Sequence, residues 1–321
     1  MLDPESRNEI VSSVAYGEHP LVLSLCGCDA DNPLGQLAIE IRESCGAKVT
    51  VVAGDAGLCR AAPALGLSRC GAPQLLWSFV PESGYVRPFV RGVELLTCGE
   101  PTTQLNEDHE ALAAPVKVEV LTAAGCPHCP QAVMSAIRVA VAHSAVRTEV
   151  IDIGIHKDIA ERLGVRSVPL TVVDGGLSIV GIPTAEELAK HIAGRLRPDF
   201  NNEVFVSLMS SGRLSAAVAL LRDKGAEPLV TAWQGSTTAD RMGLLLIAER
   251  VLEINPRALD SAVVELMALV DSGDAALRGD TVDLLGQIGD PRARPAIERL
   301  LADPNPDVAE IAKEVLEELV H

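Results

Sequence analysis

The chain has 321 residues, 48% of them apolar and only 2% aromatic, with a formal net charge of −17. That length implies two or three domains, with cores built mainly from Ala, Leu and Val. So acidic a surface repels nucleic acid and anionic lipid, which excludes both as expected partners.

The start, Met1-Leu2-Asp3-Pro4-Glu5-Ser6, has no basic stretch followed by an apolar one, so no secretory signal is expected. No run reaches the roughly 18 apolar residues of a membrane span. A cytoplasmic location is expected. There the eight cysteines are mostly free thiols, and a paired CxxC is catalytic or metal-binding.

Residues 1–19 read as an N-terminal extension. In the section 20–105, β-rich runs at 21–25, 48–52, 74–80 and 86–90 alternate with helical patterns such as 36–44. A polar linker at 99–114 leads into the section 106–200, which repeats that order. Its strands are expected at 116–121, 147–153, 170–173 and 177–180, with helices at 131–142, 156–163 and after Thr184.

The two sections read as a duplication. Aligning Leu21-Val22-Leu23-Ser24 on Val118-Glu119-Val120-Leu121 sets Asp29 and Asn32 opposite Cys126 and Cys129. Gly71-Ala72-Pro73 then falls opposite Ser167-Val168-Pro169. The expected fold class is therefore α/β, a small mixed sheet with helices on its faces, built twice. After residue 200 the β signals vanish. Pro256-Arg257-Ala258 recurs as Pro291-Arg292-Ala293, and Leu277, Thr281, Leu284 and Leu285 are matched by Val308, Ala312, Val315 and Leu316. Paired helices with such a period, over 201–321, indicate an all-α helical repeat.

Chemistry concentrates in Cys126-Pro127-His128-Cys129, between an apolar run and a helical one. A helix start offers unpaired N–H groups and partial positive charge, both of which stabilise a thiolate. Two cysteines three apart lie on one turn and can close a disulfide. The rival reading, half of a zinc site, needs two more ligands, and no second CxxC or paired His follows.

With Val168-Pro169 downstream and Leu170-Thr171-Val172-Val173-Asp174-Gly175 after it, this motif resembles the thioredoxin and glutaredoxin superfamily. A degenerate first half before an active second half is similar to the N-terminal domain of the alkyl hydroperoxide reductase flavoprotein subunit. It is also similar to the prokaryotic protein disulfide oxidoreductases. The resemblance implies two tandem thioredoxin-like folds, followed here by HEAT-like repeats through Leu285-Gly286-Gln287-Ile288-Gly289-Asp290-Pro291. No dinucleotide-binding GxGxxG follows.

The same resemblance implies roles. Cys126 attacks a partner disulfide and Cys129 resolves the mixed disulfide. Pro127 and His128 tune the pair; Pro169 is cis against the thiols, and Val168 offers its backbone to a substrate strand. Glu119 either relays protons beneath the disulfide or turns to solvent. The expected cofactor is none beyond the redox-active disulfide, and the expected metal is none. The expected partners are a protein disulfide, a flavoprotein reductase or a peroxiredoxin, and a protein held by the helical repeats. The function expected is thiol–disulfide exchange. The alternatives are a non-catalytic scaffold, or a redox-sensing or metal-binding module using Cys26, Cys28, Cys45, Cys59, Cys70 and Cys98. For that module, Cys26-Gly27-Cys28 is expected to adjoin Cys70 near Pro73.

Overall fold

Asp3 starts the first helix: its carboxylate accepts the Ser6 N–H at 2.9 Å, and Pro4 fills the first helical position, where no N–H is needed. Helix α1 then runs Pro4–Tyr16. The computed structural model describes residues 2–99 and 114–319, and the chain divides into two units, 1–197 and 198–321. Most of the linker expected at 99–114 lies outside the described residues.

In the first unit, β1 (Leu21–Cys26), α2 (Pro33–Cys45), β2 (Val49–Gly54), β3 (Ala64–Ser68), β4 (Leu75–Trp77) and α3 (Val86–Cys98) follow α1. The pattern recurs as β5 (Val116–Thr122), α4 (Cys129–Ala142), β6 (Val146–Asp152), α5 (Lys157–Leu163), β7 (Leu170–Val173), β8 (Leu177–Val180) and α6 (Ala185–Gly194). The strands form one eight-stranded sheet in the order β2-β1-β3-β4-β6-β5-β7-β8. Each half contributes a parallel pair followed by two antiparallel steps. Parallel pairing of β4 with β6 fuses the halves. The duplication and the α/β class are as expected.

Two expectations in the first half fail. Residues 86–90 are not a strand but the first turns of α3, which buries Phe89, Val93 and Leu96 along one stripe. The β-branched run Val86 to Val90 mimics a strand, but its apolar positions recur at helical spacing and Pro88 is tolerated in a first turn. The third strand is Ala64–Ser68, and the run at 74–80 supplies only the short β4.

The halves also differ in their crossovers. Between β6 and β7 the chain makes the helix α5. Between β2 and β3 residues 55–63 carry only a single 3-10 turn, Ala56–Leu58, so the chain crosses the sheet as a strap.

The second unit is helical: α7 (Phe200–Ser210), α8 (Leu214–Lys224), α9 (Glu227–Gly235), α10 (Thr238–Ile254), α11 (Val263–Leu269), α12 (Ala275–Ile288), α13 (Arg294–Arg299) and α14 (Pro306–Glu318). The matched positions lie on α12 and α14, which pack together; Thr281, Leu284, Leu285, Val308, Ala312 and Val315 are buried. A Cβ at Gly286 would sit 2.6 Å from Val315 Cγ1, so glycine permits this approach. Trp233, fully buried in α9, donates its Nε1–H to Thr281 Oγ1 at 3.0 Å. No helix of the described residues is long and apolar enough to cross a membrane.

Candidate active site

Strand β5 ends at Thr122, and Gly125, at φ +77°, turns the chain into α4. Positive φ is accessible to glycine at little steric cost. Cys126 and Cys129 form a disulfide across this turn, with Cα atoms 5.6 Å apart. Cys129 opens the helix and is fully buried; its backbone N–H donates to Cys126 Sγ at 3.1 Å. Pro130 follows in the first turn, where its missing N–H leaves no gap in the helix. Cys126 is half-buried, while Pro127 and His128 are exposed. One sulfur is thus open to a partner and the other is shielded, at a helix end that favours negative charge.

Cys126 opens onto a cleft of about 770 Å³ between the two halves of the sheet unit. Ala124, Gly125 and Pro127 line it from the second half; Asn32, Pro33, Pro63 and Tyr85 line it from the first. Tyr85 donates its hydroxyl to Ala123 O at 2.8 Å, pinning one wall to the loop before Cys126. At the positions the sequence aligns with the thiols, Asp29 accepts the N–H groups of Asp31 and Asn32, both at 3.2 Å, and Asn32 caps α2 through Leu34 N at 3.0 Å. Where the second half carries sulfur, the first carries turn and cap chemistry.

The Val168-Pro169 bond is cis. Leu170 pairs with Leu121, so the residues before β7 lie at the cysteine end of β5. Pro169 is buried and its carbonyl accepts the Gly181 N–H at 3.0 Å; Val168 is partly exposed. A second cis proline exists, and it corrects the alignment of the halves. It is Ala62-Pro63, directly before β3, rather than Pro73, which lies between β3 and β4 and packs its ring against Gly66. The signal was adjacency: Pro63 immediately precedes Ala64-Leu65-Gly66-Leu67, as Pro169 precedes Leu170-Thr171-Val172-Val173.

Glu119 is neither beneath the disulfide nor in solvent. Thr148 Oγ1 donates to Ala136 O of α4 at 3.2 Å, so alternation turns Thr148, Val150 and Asp152 toward α4 and Glu149 away. Glu119 pairs in register with Glu149 and shares that far face, with both carboxylates fully buried. The first-half strap covers them there. Arg60 Nε is ion-paired with Glu119, and the N–H groups of Arg60 and Ala61 donate to Glu149 at 2.8 and 2.7 Å. Lys117 Nζ lies 3.2 Å from Glu119 and 3.3 Å from Glu149. The hydrogen bond to Glu119 raises the Arg60 pKa further. Asp152 is the buried carboxylate on the α4 side; it lines the cleft with Cys126, and its Oδ1 accepts the Gly154 and Ile155 N–H groups at 2.7 and 3.3 Å. Only its position at the end of a strand neighbouring the CxxC strand could have marked it in the sequence.

The remaining thiols are redistributed relative to expectation. Cys70 is exposed after β3, at the far end from Cys26, because Cys26 pairs with Ala64 and Ser68 with Val22. The neighbour of Cys26 is Cys59, in the strap. Among the described residues no group of three or more His, Cys, Asp or Glu side chains is placed to hold a metal ion.

Residues 116–193 match the family described as Thioredoxin domain. A thioredoxin of Methanocaldococcus jannaschii is 37% identical over 82 residues, covering 25% of this chain and 96% of that protein. Among solved structures, the NTD_N/C domain of the alkylhydroperoxide reductase AhpF of Enterococcus faecalis V583 superposes with a TM-score of 0.51 at 18% identity. That match covers 60% of this chain and all of the other. A protein disulfide oxidoreductase of Aeropyrum pernix K1 gives a TM-score of 0.49 at 21% identity, over 61% of this chain and 94% of its own. The similarity at 18% identity is one of fold.

Proposed function

The chain belongs to the thioredoxin family, and from that premise we propose that it is a protein-disulfide oxidoreductase working through Cys126 and Cys129. The observation that carries this is the asymmetry of the pair: Cys126 opens onto the cleft, whereas Cys129 is fully buried and aims its N–H at Cys126 Sγ. In the reducing direction the Cys126 thiolate attacks one sulfur of a client disulfide. The client's other sulfur leaves and takes a proton. Cys129 then attacks Cys126 Sγ, releasing the second client thiol and restoring the intramolecular disulfide. The helix start stabilises the thiolate that must form, and a protonated His128, exposed beside it, adds positive charge.

Val168, before the cis Pro169, offers its backbone to the client, and Pro127 walls the cleft. Asp152, not Glu119, takes the proton that Cys129 must lose, because it is the buried carboxylate on the disulfide's side of the sheet. The electron partner is a flavoprotein reductase or a peroxiredoxin, and the second unit recruits the protein client. The protein works in the cytoplasm, and this exchange calls on no cofactor beyond the Cys126–Cys129 disulfide. Insulin reduction driven by a small dithiol tests the reading. Wild type turns over and Cys126→Ser does not; a wild type with no activity above the uncatalysed rate would defeat it.

A further inference from the structure

The first half has lost the active-site cysteines, yet it keeps two thiols together elsewhere. Cys26 ends β1 on the face crossed by the strap. It is fully buried in a small cluster with Ala64 and Leu76, and Cys59 packs against that cluster. Strand register places this contact on the face that carries the buried glutamates: Cys26 pairs with Ala64, and Leu76 pairs with Glu149. A Cβ at Gly54, the β2 residue paired with Cys26, would lie 2.6 Å from Cys26 Sγ, so the sulfur lies over the end of β2, from which the strap departs. Cys59 is only partly buried, and its sulfur sits 3.2 Å from Ala56 O. The pair thus repeats the asymmetry of the catalytic one, an accessible sulfur above a buried one.

We propose that Cys26 and Cys59 are a second redox pair, closed by disulfides of the small-thiol class and independent of Cys126 and Cys129. The thiolate of Cys59 attacks one sulfur of the small disulfide. That S–S bond breaks, and the leaving thiolate takes up a proton. Cys26 then loses its proton to solvent and attacks Cys59 Sγ, expelling the second small thiol. Two protein thiols are oxidised to one disulfide while the small disulfide is reduced to two thiols. The product ties the strap to the end of β1. Cys59 is adjacent to Arg60 and Ala61, which hold the strap to Glu149, and four residues before Pro63, which lines the Cys126 cleft. Closing the pair therefore ties down the segment that carries Pro63 into the cleft.

The test uses the full chain carrying Cys126→Ser and Cys129→Ser, so that failure of the catalytic reading cannot affect it. Six thiols remain in that protein. Incubation with oxidised glutathione, quenching and thiol titration are followed by non-reducing peptide mapping by mass spectrometry. The expected result is loss of two thiols, with one Cys26–Cys59 peptide pair as the dominant product. Adding Cys59→Ser, at a partly exposed position, abolishes that product, whereas adding Cys70→Ser leaves it unchanged. Retention of all six thiols, or a dominant link to Cys28, Cys70 or a second chain, would overturn the proposal.

Discussion

Replacing Glu149 with alanine isolates what the buried carboxylates do. The substitution leaves two main-chain donors, the N–H groups of Arg60 and Ala61, facing a sheet that no longer accepts them, and it removes one of the two carboxylates near Lys117. An unpaired buried donor costs about 1–3 kcal/mol, and breaking a buried ion pair costs about 3–5 kcal/mol. These figures describe overlapping losses. The cationic side chains of Arg60 and Lys117 keep 26% and 33% of their surface in water, which screens part of the effect. The loss is therefore about 3 kcal/mol. With a urea slope of about 2–3 kcal/mol/M, the midpoint of the first unit falls by about 1–1.5 M. The chain has two tryptophans, Trp77 in β4 and Trp233 in α9, so a Trp233→Phe background lets Trp77 fluorescence follow the sheet unit alone. Glu149→Gln keeps one acceptor oxygen and falls between wild type and alanine. A midpoint shift below about 0.3 M for alanine would mean the strap is held by packing alone, and the electrostatic account would fail.

Other consequences follow from the same geometry. Cys129→Ser accumulates a mixed disulfide with an insulin chain that non-reducing mass spectrometry detects, and Cys126→Ser/Cys129→Ser accumulates none. Asp152→Asn slows dithiol-driven insulin reduction roughly tenfold or more at neutral pH and moves its pH profile, while Glu119→Gln leaves the profile in place; equal profiles would remove Asp152 from proton transfer. In alkylation by iodoacetamide, exposed Cys70 and Cys98 react first and Cys26 last. Burial pushes the Cys26 thiol from 9.0 up to about 11, so its thiolate fraction at neutral pH falls roughly a hundredfold before shielding is counted. In the helical unit, burial holds the Asp283 carboxyl above its usual 3.8, so the folded state binds its proton more tightly than the unfolded state. The contribution of that group is thus full at low pH and is lost as pH rises through the folded pKa. Asp283→Asn accordingly raises the urea midpoint of the second unit at pH 7, watched through Trp233 with Trp77→Phe, and the gain disappears below pH 3.8.

The second half of the sheet unit was legible almost residue by residue because each of its elements carries its own signal. Val116 to Thr122 is apolar and β-branched, Cys129-Pro130 opens a helix with the right punctuation, and Val168-Pro169 stands directly before a strand. The first half was harder for a physical reason: its crossover helix has shrunk to a strap, so the expected order of elements broke at residues 55–63. With no helix to anchor the count, the sequence pattern aligns Pro73 with Pro169, ten residues beyond the true cis proline Pro63, and draws Val86 to Val90 into the sheet. The error carried into the thiols. Cys70 follows the wrong proline, and Cys59, which lies before the right one, carries no local signature at all.

Glu119 shows where single-strand reasoning stops. Alternation fixes that Glu119 and Leu121 share a face, but not which face receives α4. Only the neighbouring strand decides it, through Thr148 bonding to α4 and Glu149 turning away. Two carboxylates fully buried side by side repel each other and demand cations and donors. A short helix such as α5 would present mostly side chains. The strap presents main-chain N–H groups and Arg60, as the pair requires. The degenerate half is thus not simply an inactive copy. In place of a helix it has a segment that pairs with the buried carboxylates of the second half and carries Pro63 into the cleft beside Cys126. The two halves thus divide the site: one carries the Cys126–Cys129 disulfide, and the other, without thiols at Asp29 and Asn32 and without a helix at 55–63, supplies part of the cleft that the disulfide faces.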